Sequence, residues 1–195
     1  MSDTSAPAAG PAHLILIGLP GAGKSTHGRR AAKQMQRPFI DLDRRIAAMA
    51  GRSVARIFAE DGEAAFRALE LEATLSLLAE PPSIVAPGGG WMLSPGNVAL
   101  VKPGSTIVWL VVSPAAAVRR MGARIGLRPL LRTGDPERTL EALLAARRGR
   151  YAEADAVVDT ESLSWQGVVD AIKALAPPAS TSPDPQNGLG GVTSV

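Results

Sequence analysis

The segment Gly18-Leu-Pro-Gly-Ala-Gly-Lys24-Ser25-Thr26, directly after the apolar run Leu14 to Ile17, constrains the fold more than any other part of this chain. Its spacing, G-x-x-x-x-G-K-[ST], needs a strand before it and a helix after it, because the loop works by wrapping backbone N–H groups around a polyphosphate. Glycines at Gly18, Gly21 and Gly23 permit φ > 0 and a close approach to anionic oxygens, with Ala22 between the last two. Lys24 supplies a point charge for the β and γ phosphates. Ser25 offers a hydroxyl to Mg²⁺, and Thr26 is expected to begin the helix, whose N-terminal dipole adds attraction for negative charge.

Apolar runs of strand length alternate with stretches of helical period, and no internal repeat interrupts them. Strands are expected at 13–18, 37–41, 83–86, 106–112 and 156–159. The fourth, Thr106-Ile-Val-Trp-Leu-Val-Val112, is a continuous apolar run suited to a strand covered on both faces. Over residues 63–79 the stripe Phe66, Leu69, Ala73 and Leu77 keeps one helical face, and Trp165, Val168, Val169, Ile172 and Leu175 do the same in the last helix. The expected fold is therefore α/β, a five-stranded parallel sheet flanked by helices with right-handed crossovers. Residues 12–176 form the expected domain, while 1–11 and the Pro-, Ser- and Gly-rich 177–195 are expected to be disordered tails.

No apolar run approaches the roughly 20 residues of a membrane span, and the first residues lack the basic and apolar regions of a secretion signal. With no cysteine in its 195 residues the chain suits a reducing compartment, and a cytoplasmic monomer is the default expectation. The net charge is only +3, yet Arg119, Arg120, Arg124, Arg128 and Arg132 occur without an acidic residue until Asp135. Only 4% of the chain is aromatic, so this field suits a small anion better than stacked bases.

In a parallel sheet ligands bind beyond the C-terminal ends of the strands, where the notable residues fall. Asp41 and Asp43 follow the second strand. In an extended chain both carboxylates share one side, one for the water shell of Mg²⁺ and one for an acceptor; alternatively, one of them caps the helix beginning near Arg44. Gly88, Gly89 and Gly90 end the third strand and imply clearance for a ligand, or a flexible turn. Arg67 and Glu70 form either a surface i,i+3 pair or a carboxylate clasp in which Glu70 orients the guanidinium. The stretch 124–136 breaks helical period with Gly126, Pro129, Gly134 and Pro136, as a mobile lid at about 123–137 or a solvated basic loop would. His13 and His27 carry no expected chemistry, and His27 is expected to be exposed.

Taken together, the phosphate loop, Phe39-Ile-Asp-Leu-Asp43, Ile57-Phe-Ala-Glu-Asp-Gly-Glu63 with Phe66-Arg67, the triple glycine, Arg128-Pro-Leu-Leu131 and Arg147 four residues before Tyr151 resemble the shikimate kinases. The resemblance runs from about His13 to Leu175. It implies a P-loop fold of the nucleoside monophosphate kinase type and transfer of the ATP γ-phosphoryl group to the 3-hydroxyl of shikimate. It also implies roles. Gly21 to Thr26 hold the phosphates, Ser25 ligates Mg²⁺ with Asp41 in its outer shell, and Asp43 grips the acceptor and can act as base. Arg67 and Arg147 bind the shikimate carboxylate, Gly88, Gly89 and Gly90 support the ring, Arg128 is the lid arginine at the transferred group, and Arg120 stacks on adenine.

Two places depart from the family pattern. Trp91 follows the triple glycine where small residues are common, so that with Pro87 it is expected to reshape the acceptor pocket. Arg147-Arg-Gly-Arg-Tyr151 replaces a more usual R-x-P-L-Y, which leaves Arg147 and Arg148 as rival carboxylate ligands. Two other readings compete: a gluconate or nucleoside monophosphate kinase with the same loop, and a non-catalytic nucleotide or nucleic-acid binding module. Against the second stands Asp43, which mere binding does not require. The expected partners are thus ATP and a small hydroxy acid, with no nucleic acid and no membrane.

Overall fold

A computed structural model describes residues 12–132 and 134–178; the expected tails at 1–11 and 179–195 lie outside the described residues. The five expected strands are present as β1 (Leu14–Ile17), β2 (Phe39–Asp41), β3 (Ile84–Ala86), β4 (Thr106–Val111) and β5 (Ala156–Asp159). All pairings are parallel and the sheet order is β2-β3-β1-β4-β5. Between them run α1 (Lys24–Met35), α2 (Leu42–Met49), α3 (Val54–Glu60), α4 (Gly62–Ser76), α5 (Pro95–Val101), α6 (Pro114–Met121) and α7 (Pro136–Tyr151), with α8 (Trp165–Ala174) after β5.

The central strand explains why the sheet is covered on both sides. Successive residues of a strand point to opposite faces, so Leu14 and Leu16 enter one core with Ala31, Ala117 and Val169, while Ile15 and Ile17 enter the other with Ile46, Phe66 and Val101. Each face then requires its own helical layer. Short polar residues start several of these helices: Ser53, Ser113, Asp135 and Ser164 each accept a backbone N–H from the first turn of α3, α6, α7 and α8.

Four local expectations are corrected. Helix α1 begins at Lys24, two residues before Thr26, because Gly23 at φ 87° turns the chain directly into it without a side-chain cap. The helical stripe after Glu63 gives way at Ser76 to a 3₁₀ turn over Leu77–Ala79. Trp165 opens α8 but is 49% exposed, so it stands at the rim and not in the core that receives Val168, Val169 and Ile172. His27 is buried, its ring beneath Gly23 and 5.7 Å from the Trp165 ring, because α8 packs over this side of α1.

Candidate active site

Strand β1 ends in the phosphate loop, where Gly18, Gly21 and Gly23 take φ of 137°, 85° and 87° as the spacing requires. Space is as tight as the backbone: a Cβ on Gly21 would lie 2.7 Å from the Ala117 carbonyl oxygen. The Lys24 ammonium curls back and donates to the carbonyls of Gly18 at 2.8 Å and Leu19 at 3.1 Å. Burial, reinforced by Arg128, pushes its pKa down to about 8, while Asp43 works in the opposite direction.

Strand β2 ends at Asp41, and α2 starts on the next residue. The premise of an extended Asp41-Leu-Asp43 segment therefore fails, yet both carboxylates still line the same cleft because Asp43 sits in the first turn of α2. Asp41 does two things. Its Oδ1 accepts the Arg44 N–H as the cap of α2, and its Oδ2 accepts the Ser25 hydroxyl at 3.3 Å. Asp43 Oδ1 is buried with no hydrogen-bond partner among the described residues, and burial, with Asp41 nearby, raises the carboxyl's pKa above the ordinary value.

The three glycines after β3 have a purpose that their sequence position concealed. A Cβ on Gly88 would lie 2.7 Å from Asp43 Oδ1, one on Gly89 2.8 Å from Arg147 Nη1, and one on Gly90 2.8 Å from Arg67 Nη2. None of the three takes a positive φ. Glycine is needed here for room, and the room is filled by three charged side chains brought from α2, α7 and α4. Arg147 and not its exposed neighbour Arg148 is the arginine delivered. Tyr151, buried one turn further along α7, fixes the place by donating its hydroxyl to the Gly89 carbonyl at 2.7 Å.

Arg67 and Glu70 are not a surface pair, since the Glu70 side chain is 1% exposed. Arg67 Nη1 donates to Glu70 Oε2 at 2.9 Å and its Nη2 to Glu63 at 2.9 Å, which fixes the plane of the guanidinium. Burial raises the Glu70 pKa, with Arg67 opposing. Behind it lies a network that sequence reasoning missed. Asn97, fully buried on α5, donates to Glu70 Oε2 at 3.3 Å and to the Trp91 carbonyl at 3.4 Å. Trp91 is itself 1% exposed and its Nε1 donates to Thr74 Oγ1 at 3.0 Å. The 3₁₀ turn over Trp91–Leu93 folds the indole inward, so the residue expected to reshape the acceptor pocket is packed in the core.

A cleft of about 530 Å³ is lined in part by Lys24, Ser25, Asp41, Asp43, Gly88 and Gly89, while Arg67, Gly90 and Arg147 are not among its lining residues. Thr26, Arg120, Arg124, Arg128, Leu163 and Trp165 line the remainder. Arg120 is fastened by two 2.7 Å bonds, to the hydroxyl and the carbonyl oxygen of Thr160 just after β5. The expected lid consists of two 3₁₀ turns, Gly122–Leu127 and Pro129–Leu131, with Leu131 anchored in the core and Thr133 outside the described residues. Among the described residues no group of three His, Cys, Asp or Glu side chains could hold a metal alone. The Ser25 hydroxyl and Asp41 carboxylate are nevertheless hard oxygen donors beside a phosphate loop, a partial set that fits Mg²⁺, which keeps several waters.

A family model described as shikimate kinase matches residues 20–176. A shikimate kinase from Caulobacter vibrioides is 42% identical over 159 residues, covering 82% of this chain and 79% of that protein. The solved structure of a shikimate kinase from Acinetobacter baumannii in complex with shikimate has a TM-score of 0.76 at 30% identity, covering 83% of this chain and 90% of that one. A gluconokinase from Sinorhizobium meliloti shares the fold more loosely, at TM-score 0.53 and 21% identity over 84% of this chain and 90% of its own. The family match extends from the phosphate loop to the end of α8, and on that span the chain belongs to the shikimate kinase family.

Proposed function

We propose that this protein transfers the γ-phosphoryl group of ATP to the 3-hydroxyl of shikimate, giving shikimate 3-phosphate and ADP in aromatic amino acid biosynthesis. The observation that carries the reading is the meeting of Asp43, Arg67 and Arg147 on three successive glycines at the mouth of a phosphate loop. A carboxylate between two arginines and a hydroxyl on a carboxylate is the chemistry of a small ring acid.

In this reading Gly21, Ala22, Gly23, Lys24, Ser25 and Thr26 hold the phosphates, with the uncapped first N–H groups of α1 facing them. Arg67 and Arg147 take the acceptor carboxylate in planar, charge-assisted bonds, and Gly88 to Gly90 support the ring by giving Asp43, Arg147 and Arg67 the room to present their groups to it. Asp43 accepts the proton of the attacking hydroxyl as its oxygen bonds to the γ-phosphorus and the bond to the β-phosphate oxygen breaks. Lys24 and Arg128 neutralise the charge that spreads over the transferring group. Ser25 would hold Mg²⁺, with Asp41 supporting its water shell, and the ion would supply positive charge to the phosphates. Arg120, already fixed by Thr160, presents its guanidinium to the adenine. Closure of the segment at 123–137 excludes water from the reaction. A cytoplasmic monomer completes the proposal.

The test is ADP release measured with shikimate, gluconate, other hydroxy acids and nucleoside monophosphates as acceptors. Shikimate should give the highest kcat/KM; equal or better turnover of gluconate or a nucleotide overturns the reading. Arg67→Lys probes the acceptor side. Lysine keeps the charge but loses the planar fork shared with Glu63 and Glu70, so the KM for shikimate should rise about tenfold while the KM for ATP holds. An unchanged shikimate KM removes Arg67 from the site.

A further inference from the structure

On the other side of Asp41 from the cleft lies a second groove of about 600 Å³, lined by Arg29, Lys33, Arg37, Arg44, Arg45 and Asp41. Its cations converge from α1, from the turn before β2 and from α2, and Asp41 is the single carboxylate among the lining residues. Three of the guanidinium groups are fixed before any ligand arrives. Arg45 donates to Ser76 at 3.0 Å and Glu80 at 2.7 Å, while Arg29 lies over the Phe39 ring at 5.1 Å and 3.7 Å from Asp41. Arg37 donates through Nη2 to the Pro177 carbonyl at 2.6 Å, and its Nη1 is buried with no acceptor among the described residues. Lys33 and Arg44 have no ion-pair partner for their side chains among the described residues either.

We propose that this groove binds a small polyanion, a metabolite carrying two or more phosphate or carboxylate groups. A buried guanidinium N–H without an acceptor is costly, and with Arg45 balanced by Glu80 and Arg29 by Asp41, Lys33, Arg37 and Arg44 remain as three like charges on one concave surface with no ion pair among the described residues; an oxyanion relieves both. The planar guanidinium of Arg37, set in place by Pro177, suits a tetrahedral or planar oxyanion, and the exposed Lys33 and Arg44 can adapt to the spacing of a second charged group. The only aromatic ring of the lining, Phe39, is already covered by Arg29, so no platform is left for stacking a nucleobase. None of Lys33, Arg37, Arg44 or Arg45 takes part in the phosphoryl transfer described above.

Inorganic pyrophosphate is the probe. It is titrated calorimetrically into the full-length chain in metal-free buffer, with the phosphate loop filled by one equivalent of a non-hydrolysable ATP analogue, so that no excess polyanion competes for the groove. One-to-one binding is expected, weakened about tenfold or more in the Lys33→Ala/Arg44→Ala double variant. That variant should retain its thermal melting profile and its ATP turnover, which separates loss of the site from loss of the fold. Equal affinity in the double variant, absence of binding to the wild type, or tighter binding of a single-stranded RNA than of pyrophosphate at matched charge would overturn the proposal. Because the titration needs no turnover, its outcome is independent of whether shikimate proves to be the acceptor.

Discussion

Lys24→Ala should lower kcat about a hundredfold or more without lowering the melting temperature of the protein, since a fixed cation counts most where charge develops in the transition state. Among the described residues the half-buried ammonium hydrogen-bonds to the carbonyls of Gly18 and Leu19, so its loss removes a charge without opening the core. Its depressed pKa of about 8 gives a second signature. Above that pH the free enzyme loses the cation, so kcat/KM for ATP should fall on the alkaline side near pH 8. Bound phosphates favour the charged form and push the pKa back up, so the same limb in kcat should lie at higher pH. Steady-state kinetics across pH 6 to 10 check both, and the limb should vanish in Lys24→Ala. A variant with wild-type kcat removes Lys24 from the transition state.

Asp43→Asn should cut kcat by about two orders of magnitude or more, the range of a positioned general base, with little change in the KM for ATP. The substitution keeps the shape against Gly88 and removes the charge and the proton acceptor. Its effect on stability has the opposite sign. A carboxyl whose folded pKa is raised disfavours the folded state once pH passes the unfolded value, and this cost persists above the folded pKa. At neutral pH the asparagine variant should therefore melt at a higher temperature than the wild type even as it loses turnover. Calorimetric melting at pH 7 beside the ADP-release assay reads both; a variant that melts lower while retaining activity contradicts the assigned role.

Much of the site was legible because its determinants are local. The loop glycines and Lys24 announce themselves by spacing, and the apolar runs of β1 and β4 admit a strand buried on both faces. What escaped depends on partners distant in sequence. Trp91 read as a residue that reshapes the acceptor pocket because its acceptor, Thr74, lies 17 residues earlier on α4. Asn97 carried no motif at all, yet it reaches Glu70 across 27 residues. His27 is buried by a helix that begins at Trp165. The choice between Arg147 and Arg148 was open to helical geometry alone: Tyr151 stands four residues after Arg147 and shares its face, and that face points inward.

The order β2-β3-β1-β4-β5 puts the first strand, and hence the phosphate loop, on a watershed. Asp43 and the three glycines come from the β2 and β3 flank, whereas Arg120 and its anchor Thr160 come from the β4 and β5 flank. Arg147 crosses to the glycines from α7, between β4 and β5, so the proposed acceptor site draws on both wings of the scaffold. A change of acceptor then has to be made on both wings at once, whereas the proposed contact to adenine rests on one.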